Sequence, residues 1–232
     1  MFARVRDAAQ EAAKAGTLKP HQLAALGRLD ELLTDEQRRE FSNLWRAQES
    51  PEAPRPAIVG PTLLNVPYFS QNDNASGEGY RECASSSAAM VAAFWGKVTT
   101  DDAYNTIRAR FGDTTNIEAQ VAALRSLGLD ARFRTDGRPE ILEQEIRAGR
   151  PVMVGWLHRG PVSAPTGGGH WSVVKGFDTL NWIHQDPNGE ADIVGGGYVN
   201  RTNGRNIRYS RRNWERRWRP DGSGWMVLVR PI

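Results

Sequence analysis

Cysteine is the scarcest residue of this 232-residue chain: it occurs once, as Cys83. A single thiol excludes an intramolecular disulfide framework and every zinc site that draws on two or more thiolates. Histidine is nearly as sparse, with only His21, His158, His170 and His184. These show neither the HExxH pattern nor a facial-triad spacing, so metal-centred chemistry has no support and neither a metal nor a cofactor is expected. No apolar run approaches the ~20 residues that a bilayer span requires. The opening Met1-Phe2-Ala3-Arg4-Val5-Arg6-Asp7 lacks the apolar core of a secretory signal, so the expectation is a protein made and kept in a cytoplasm unless something else releases it.

What remains is an ordinary globular composition with one local bias. Hydrophobic residues make up 39% of the chain, enough for one well-buried core and a smaller appendage. The formal charge is a mild +3, but it is uneven. Residues 201–219 contain Arg201, Arg205, Arg208, Arg211, Arg212, Arg216, Arg217 and Arg219 against Glu215 alone. Such a run favours a polyanionic partner, and the competing reading is a solvated arginine-rich face.

Residues 1–50 read as helix throughout, in three segments. The first is rich in Ala, Glu and Gln and closes at Gly16; the second carries Leu23, Leu26, Leu29, Leu32 and Leu33 after Pro20. Thr34 followed by Gln37 opens the third with a capping-box pattern. Pro51, Pro54, Pro56 and Pro61 then disfavour both helix and sheet, so residues 51–61 are expected to be an extended spacer and residues 62–232 a separate domain. Within that domain, residues 63–69 look extended. A helix begins close to Cys83 and stops at Gly96, and helices follow from Thr99-Thr100 and from a Thr115/Glu118 capping box to Gly128. Residues 129–134 are a strand candidate, residues 139–148 a helix with Pro139 in its first turn, and residues 152–157 a strand. The later stretches 171–177, 182–185 and 225–229 are short, aromatic or β-branched runs, which points to an antiparallel sheet. Helices first and strands afterwards predict an α+β domain in which a helix bearing Cys83 packs on a sheet bearing His170.

A thiol on the first turn of a helix meets the positive end of the macrodipole and unpaired N–H groups, both of which favour thiolate. The polar approach Gly77-Glu78-Gly79-Tyr80-Arg81-Glu82 suits an exposed loop, although spacing alone leaves open a small packed cysteine. A nucleophilic thiol needs a base, and His170 stands where Gly167-Gly168-Gly169 meets Trp171-Ser172-Val173-Val174, so its ring can project from a sheet edge; a histidine that merely caps a strand is the alternative. An imidazole in such a pair is held in one tautomer by a third group. Asp186 ends the next strand, in His184-Gln185-Asp186-Pro187, and adjacent antiparallel strands would bring it to His170; it could equally be a turn residue before proline. The remaining histidines are expected to lie elsewhere. Gln71 lies upstream of the cysteine, where its amide could donate to an oxyanion beside the Cys83 backbone N–H, with Asn72 and Asn74 as nearby competitors.

Taken together, Val66-Pro67-Tyr68-Phe69-Ser70-Gln71, Glu82-Cys83-Ala84-Ser85-Ser86-Ser87-Ala88-Ala89-Met90, Gly169-His170-Trp171-Ser172-Val173-Val174-Lys175-Gly176-Phe177 and Gln185-Asp186-Pro187 make a pattern. It resembles the papain-like cysteine peptidases of the bacteriocin-processing type, those that cut double-glycine leaders, and their broader relatives in bacterial and phage proteins. Tyr209-Ser210-Arg211-Arg212-Asn213-Trp214, with Trp218, looks like the family's last helix before its final strand. The resemblance spans roughly residues 62–230. It implies a papain-like fold with Cys83 as nucleophile, His170 as base, Asp186 orienting the histidine and Gln71 serving the oxyanion. It does not include an exporter or ATP-binding segment, and residues 1–50 lie outside it, so substrate identity is not inherited.

Stand-alone domains of this kind are typical of phage lysis proteins and intracellular peptidases. An arginine-rich, tryptophan-bearing stretch suits an anionic envelope, since Arg pairs with phosphate and carboxylate and Trp packs on sugars. The favoured expectation is therefore cleavage in peptidoglycan stem or cross-bridge peptides, as in a phage endolysin. On that reading the 201–219 run attaches to an anionic wall polymer, and a separate lysis protein gives access to the wall. The rivals are a protein peptidase with residues 1–50 as a helical pro-segment, and a peptide-binding module without catalysis. Nucleic acid is set aside as a partner, because no recognised nucleic-acid module is present.

Overall fold

The computed structural model describes residues 62–232. The helical expectation for residues 1–50, the spacer at 51–61 and His21 lie outside the described residues. Within them the helices are α1 (Cys83–Phe94), α2 (Asp101–Arg108), α3 (Ile117–Ser126), α4 (Pro139–Arg147) and α5 (Arg211–Trp218). The strands are β1 (Leu129–Gly137), β2 (Val152–Trp156), β3 (His170–Phe177), β4 (Asn181–Gln185), β5 (Glu190–Ala191), β6 (Tyr198–Asn200), β7 (Ile207–Ser210) and β8 (Gly224–Pro231). Six strands form one antiparallel sheet in the order β1-β8-β2-β3-β4-β7, and β5 pairs with β6 apart from it. The α+β architecture read from the sequence is the architecture observed.

Helix α1 lies against β3 and β2, with α2 and α3 beside it. Its sequence, Cys-Ala-Ser-Ser-Ser-Ala-Ala-Met-Val-Ala-Ala-Phe, explains how it can be covered on almost every side. Small side chains allow close approach all round, and Ala84 through Ala92 are all buried. Two of the serines inside it are satisfied: Ser85 meets the Thr114 hydroxyl at 2.8 Å, and Ser86 donates to Asp101 Oδ2 at 2.9 Å. Met90 and Val91 are wholly withdrawn from water, each worth about 1.5–3 kcal/mol of burial. The helix ends where Gly96 adopts φ +68°, a left-handed conformation that a side chain would strain.

The neighbouring helices show local signals in agreement with their places, with one correction. Thr100 caps α2 by accepting from the Ala103 N–H, while Asp101 and Asp102 occupy its first turn and Arg108 its last. Helix α3 is capped by Asn116, which accepts from the Glu118 N–H, rather than by Thr115. The Thr115 N–H and hydroxyl are both drawn to Asp113 Oδ1, at 2.9 and 2.6 Å, which shifts the start of the helix by one residue.

The sheet positions the site through register. Val173 of β3 faces Gln185 of β4, so the first residue of one strand, His170, comes beside the residue that follows the other, Asp186. The extended segment at 63–69 lies along β3, where the Leu64 N–H donates to the Lys175 carbonyl at 2.8 Å and the Phe177 N–H to the Thr62 carbonyl at 2.8 Å. Gly176 permits that approach, since a Cβ there would lie 2.7 Å from the Thr62 carbonyl oxygen. The tail differs from expectation: Tyr209 and Ser210 close β7, and the helix starts only at Arg211.

Candidate active site

Cys83 is the first residue of α1 and half-buried. The preceding Glu82 makes no side-chain cap; its carboxylate accepts instead from Asn74 Nδ2 at 2.6 Å and the Ser76 hydroxyl at 2.8 Å. The N-terminal N–H groups beside the sulfur are thus left for other use. His170 is buried, and its Nε2–H donates to Asp186 Oδ1 at 2.7 Å. Cys83 lies close enough to help raise the pKa of the same ring, and with Nε2 taken by Asp186, Nδ1 is the nitrogen left to face the sulfur. Burial works against a charged ring, but the Asp186 charge and hydrogen bond, together with Cys83, outweigh it and push the His170 pKa up to about 10. An imidazolium lying between a thiol and a buried carboxylate can stabilise a thiolate and later donate its proton.

Asp186 is wholly buried, and both of its oxygens accept hydrogen bonds. Besides His170, Oδ1 accepts from the Asn188 N–H at 3.0 Å, and Oδ2 accepts from the Tyr209 hydroxyl at 2.9 Å. Tyr209 is in turn held by the Ala191 N–H at 2.9 Å. Gln71 is buried as well; its N–H donates to the Pro187 carbonyl at 2.9 Å and its Nε2 to the Gly79 carbonyl at 2.7 Å. That residue therefore joins the loop before Cys83 to the turn after Asp186, with one side-chain N–H still available. Of its competitors, Asn72 is exposed and donates to the Arg201 carbonyl at 3.0 Å, while Asn74 is committed to Glu82 and Ser86.

Rings close around the histidine. Trp156 meets His170 edge-on at 5.2 Å between centroids, and Tyr198 does so at 5.7 Å. The expectation that the other histidines stand apart fails for His158, whose ring lies 5.8 Å from that of His170. Burial and the charge of His170 push the His158 pKa down to about 4, which keeps it neutral beside the imidazolium. His184 forms a layer further back. Trp156 Nε1 donates to the Ser172 hydroxyl at 3.0 Å, and that hydroxyl is hydrogen-bonded to His184 Nδ1 at 3.0 Å. Burial pushes the His184 pKa down to about 3. Tyr209, Trp156, Tyr198 and His158 carry no sequence signal for these places, because each arrives by a strand or loop contact distant along the chain.

The model of the Peptidase_C39 like family matches residues 63–222. The chain belongs to that family. It is a cysteine peptidase with a papain-like fold. Among solved structures, a protein described as a C39-like peptidase from Bacillus anthracis is 16% identical, with TM-score 0.52, covering 73% of this chain and 97% of that one. A double glycine motif protease from an AMS/PCAT transporter, in complex with the leader peptide, is 22% identical with TM-score 0.48, covering 73% and 94%. The peptidase domain of Streptococcus ComA is 19% identical with TM-score 0.45, covering 66% and 93%. The Bacillus anthracis structure bears on the fold alone. No curated protein matches the sequence.

In this C39-like peptidase the 201–219 run is not one charged face. Arg217 is entirely inside. Its guanidinium donates to the carbonyls of Ile193 and Gly160 at 2.8 Å and of Leu157 and Arg159 at 3.2 Å, so it ties the loop after β2 to the loop between β5 and β6. Arg211 lies over the Trp182 ring at 4.3 Å and pairs with Glu143 at 2.6 Å, and Arg208 pairs with Asp178. Alternating burial along β7 and α5 consumes these charges, a pattern that a count of arginines conceals. Replacing Arg217 by Met should destabilise the protein by about 3–5 kcal/mol, because the five carbonyls of Leu157, Arg159, Gly160, Ile193 and Val194 lose a donor at once. Urea unfolding reads this directly, and a change below about 1 kcal/mol would show that water replaces the guanidinium. Among the described residues no group of three or more His, Cys, Asp or Glu could hold a metal ion, and no helix is long and apolar enough to cross a membrane.

Proposed function

We propose that Cys83 is the nucleophile of this peptidase, His170 its general base and acid, Asp186 the group that orients and charges the histidine, and Gln71 a donor to the oxyanion. The observation that carries this reading is the buried His170–Asp186 hydrogen bond, Nε2 to Oδ1 at 2.7 Å, on a ring whose pKa Asp186 and Cys83 together raise. The thiolate attacks the scissile carbonyl carbon, and the resulting oxyanion takes hydrogen bonds from the Cys83 N–H and the free N–H of Gln71. His170 passes its Nδ1 proton to the leaving amine, so the C–N bond breaks and a thioester remains. A water molecule, deprotonated by the now neutral His170, attacks that thioester, expels the Cys83 thiolate, releases the acid and restores the thiolate–imidazolium pair.

The substrate we propose is a peptide bond in peptidoglycan stem or cross-bridge peptides, with residues 1–50 and the 51–61 spacer as a separate appendage. Arg201, Arg205, Arg212 and Arg216 are exposed and make no salt bridge among the described residues, which supports attachment to a wall rich in carboxylate and phosphate. The test is to incubate the protein with purified peptidoglycan and, separately, with a casein-like protein, and to identify new amino termini by mass spectrometry. New termini in peptidoglycan, declining as ionic strength rises, are expected. Termini only in the protein substrate would replace this reading by a protein peptidase, for which residues 1–50 could act as a pro-segment.

A further inference from the structure

Two guanidinium groups that the catalytic steps above do not use stand beside the rings packed on His170, Arg201 on Tyr198 and Arg159 on His158. Arg201 is exposed, yet both ends of it are held. Its carbonyl accepts from Asn72 Nδ2 at 3.0 Å, its guanidinium carbon lies 5.1 Å from the centroid of the Tyr198 ring, and Gly189 leaves room for its backbone, since a Cβ there would lie 2.7 Å from the Arg201 Cα. Tyr198 in turn meets His170 edge-on. Arg159 is held as firmly: its N–H and carbonyl pair with Thr166 at 3.0 and 2.8 Å, and its Nε donates to His158 Nε2 at 3.3 Å. Both charges are felt at His158, the ring packed against His170. Neither arginine makes a salt bridge with a carboxylate among the described residues. The nearby acids are engaged: Asp192 accepts from the Val194 and Gly195 N–H groups, Glu190 from Asn200, and Asp186 is buried behind His170.

The side of the cleft on which this pair stands follows from the reaction. His170 delivers its proton to the leaving amine, so the residue that begins with that amine, and the one after it, lie along the wall to which His170 belongs. We infer that Arg159 and Arg201 form a carboxylate-recognition site for the leaving segment, selecting peptides with an acidic residue in the first or second position after the scissile bond. The inference rests on the catalytic reading proposed for Cys83 and His170. Guanidinium is suited to this task because it stays charged at every working pH and offers paired donors to a carboxylate. The exposed Val199, two residues before Arg201, leaves the rim partly apolar, so charge rather than a deep cavity supplies the discrimination.

The experiment uses the full chain and a peptide pool randomised on both sides of a cleavable bond, with products sequenced by mass spectrometry. Matched peptides with Glu or Gln at the preferred position follow. The expected result is kcat/KM about tenfold higher for the Glu peptide, expressed mainly in KM, because the contact is equally present before and during the reaction. Arg159→Gln and Arg201→Gln should each lower the Glu-to-Gln ratio by about threefold, salt should lower it as well, and Arg201→Glu should turn the preference toward Lys. Equal kcat/KM for the Glu and Gln peptides in the wild type, with cleavage still dependent on Cys83, overturns the inference and leaves the catalytic reading standing. Arginine variants that slow both peptides alike without changing the ratio overturn it too, since that is the mark of a structural role. If no peptide in the pool is cut in a Cys83-dependent way, the catalytic reading fails and the inference fails with it.

Discussion

Replacing Cys83 by Ala should abolish hydrolysis, by about 10⁵–10⁶-fold in kcat, while leaving the fold in place. The size of the loss follows from the proposed mechanism, in which His170, held by Asp186 and through it by Tyr209, serves one sulfur and has no second nucleophile to replace it. The fold should tolerate the change because Cys83 is only half-buried at the first position of α1 and its replacement is smaller. A shift in unfolding free energy within about 1 kcal/mol is expected. Thiol alkylation should reproduce the loss, and a chelator should do nothing. Inhibition by chelator combined with activity that survives alkylation would sink the cysteine mechanism. A Cys83→Ala protein that binds peptide but does not cut it would retain the cleft without the reaction, whereas a wild type that behaves in the same way would favour the peptide-binding module over the enzyme.

The parts of this protein that can be read in the sequence are those whose causes are local. Helix α1 is written in its run of small residues and in Gly96, and α4 in Pro139 and Gly149. The meeting of His170 and Asp186 can be inferred because both lie at the ends of neighbouring strands, and antiparallel pairing leaves little choice in where those ends fall. Gln71 and Cys83 are discernible as residue types in a family pattern. Contacts made across long loops are not discernible. Tyr209 reaches Asp186 only because β7 pairs with β4, and the four-residue run Ile207-Arg208-Tyr209-Ser210 is too short to announce a strand beside the arginines around it. His158 comes near His170 because β2 pairs with β3, with Trp156 facing His170 in the register. Arginine count overstates the charged surface for the same reason: whether an arginine faces water or the interior is decided by packing, and Arg217 shows the extreme case.

Two substitutions at Asp186 separate what its shape does from what its charge does. Asp186→Ala removes the acceptor of the His170 Nε2–H, so the ring loses both its fixed tautomer and its orientation, and kcat/KM should fall by about 10²–10⁴-fold at every pH. Asp186→Asn keeps an oxygen for Nε2–H and should keep the ring in place, while its charge disappears. Burial still opposes the charged ring and is no longer outweighed, so the His170 pKa must move down from about 10. In the proposed mechanism the imidazolium both accompanies the thiolate and protonates the leaving amine, so the alkaline limb of the pH–rate profile should follow it. The wild type should hold its kcat/KM through neutral pH and decline around 10. In Asp186→Asn the limb should move down toward or past the ordinary histidine value of 6.5, with about a 10–100-fold deficit at pH ~8 that shrinks as the solution is acidified. Folding carries the same signature. A pKa raised in the folded state contributes stability that is complete below 6.5 and is lost as the pH rises toward 10, so wild type should lose stability across that window and Asp186→Asn should not. Matched pH profiles of kcat/KM and of urea unfolding for the three proteins decide the matter: an alkaline limb unmoved in Asp186→Asn would show that the proton on His170 is held by something other than the Asp186 charge.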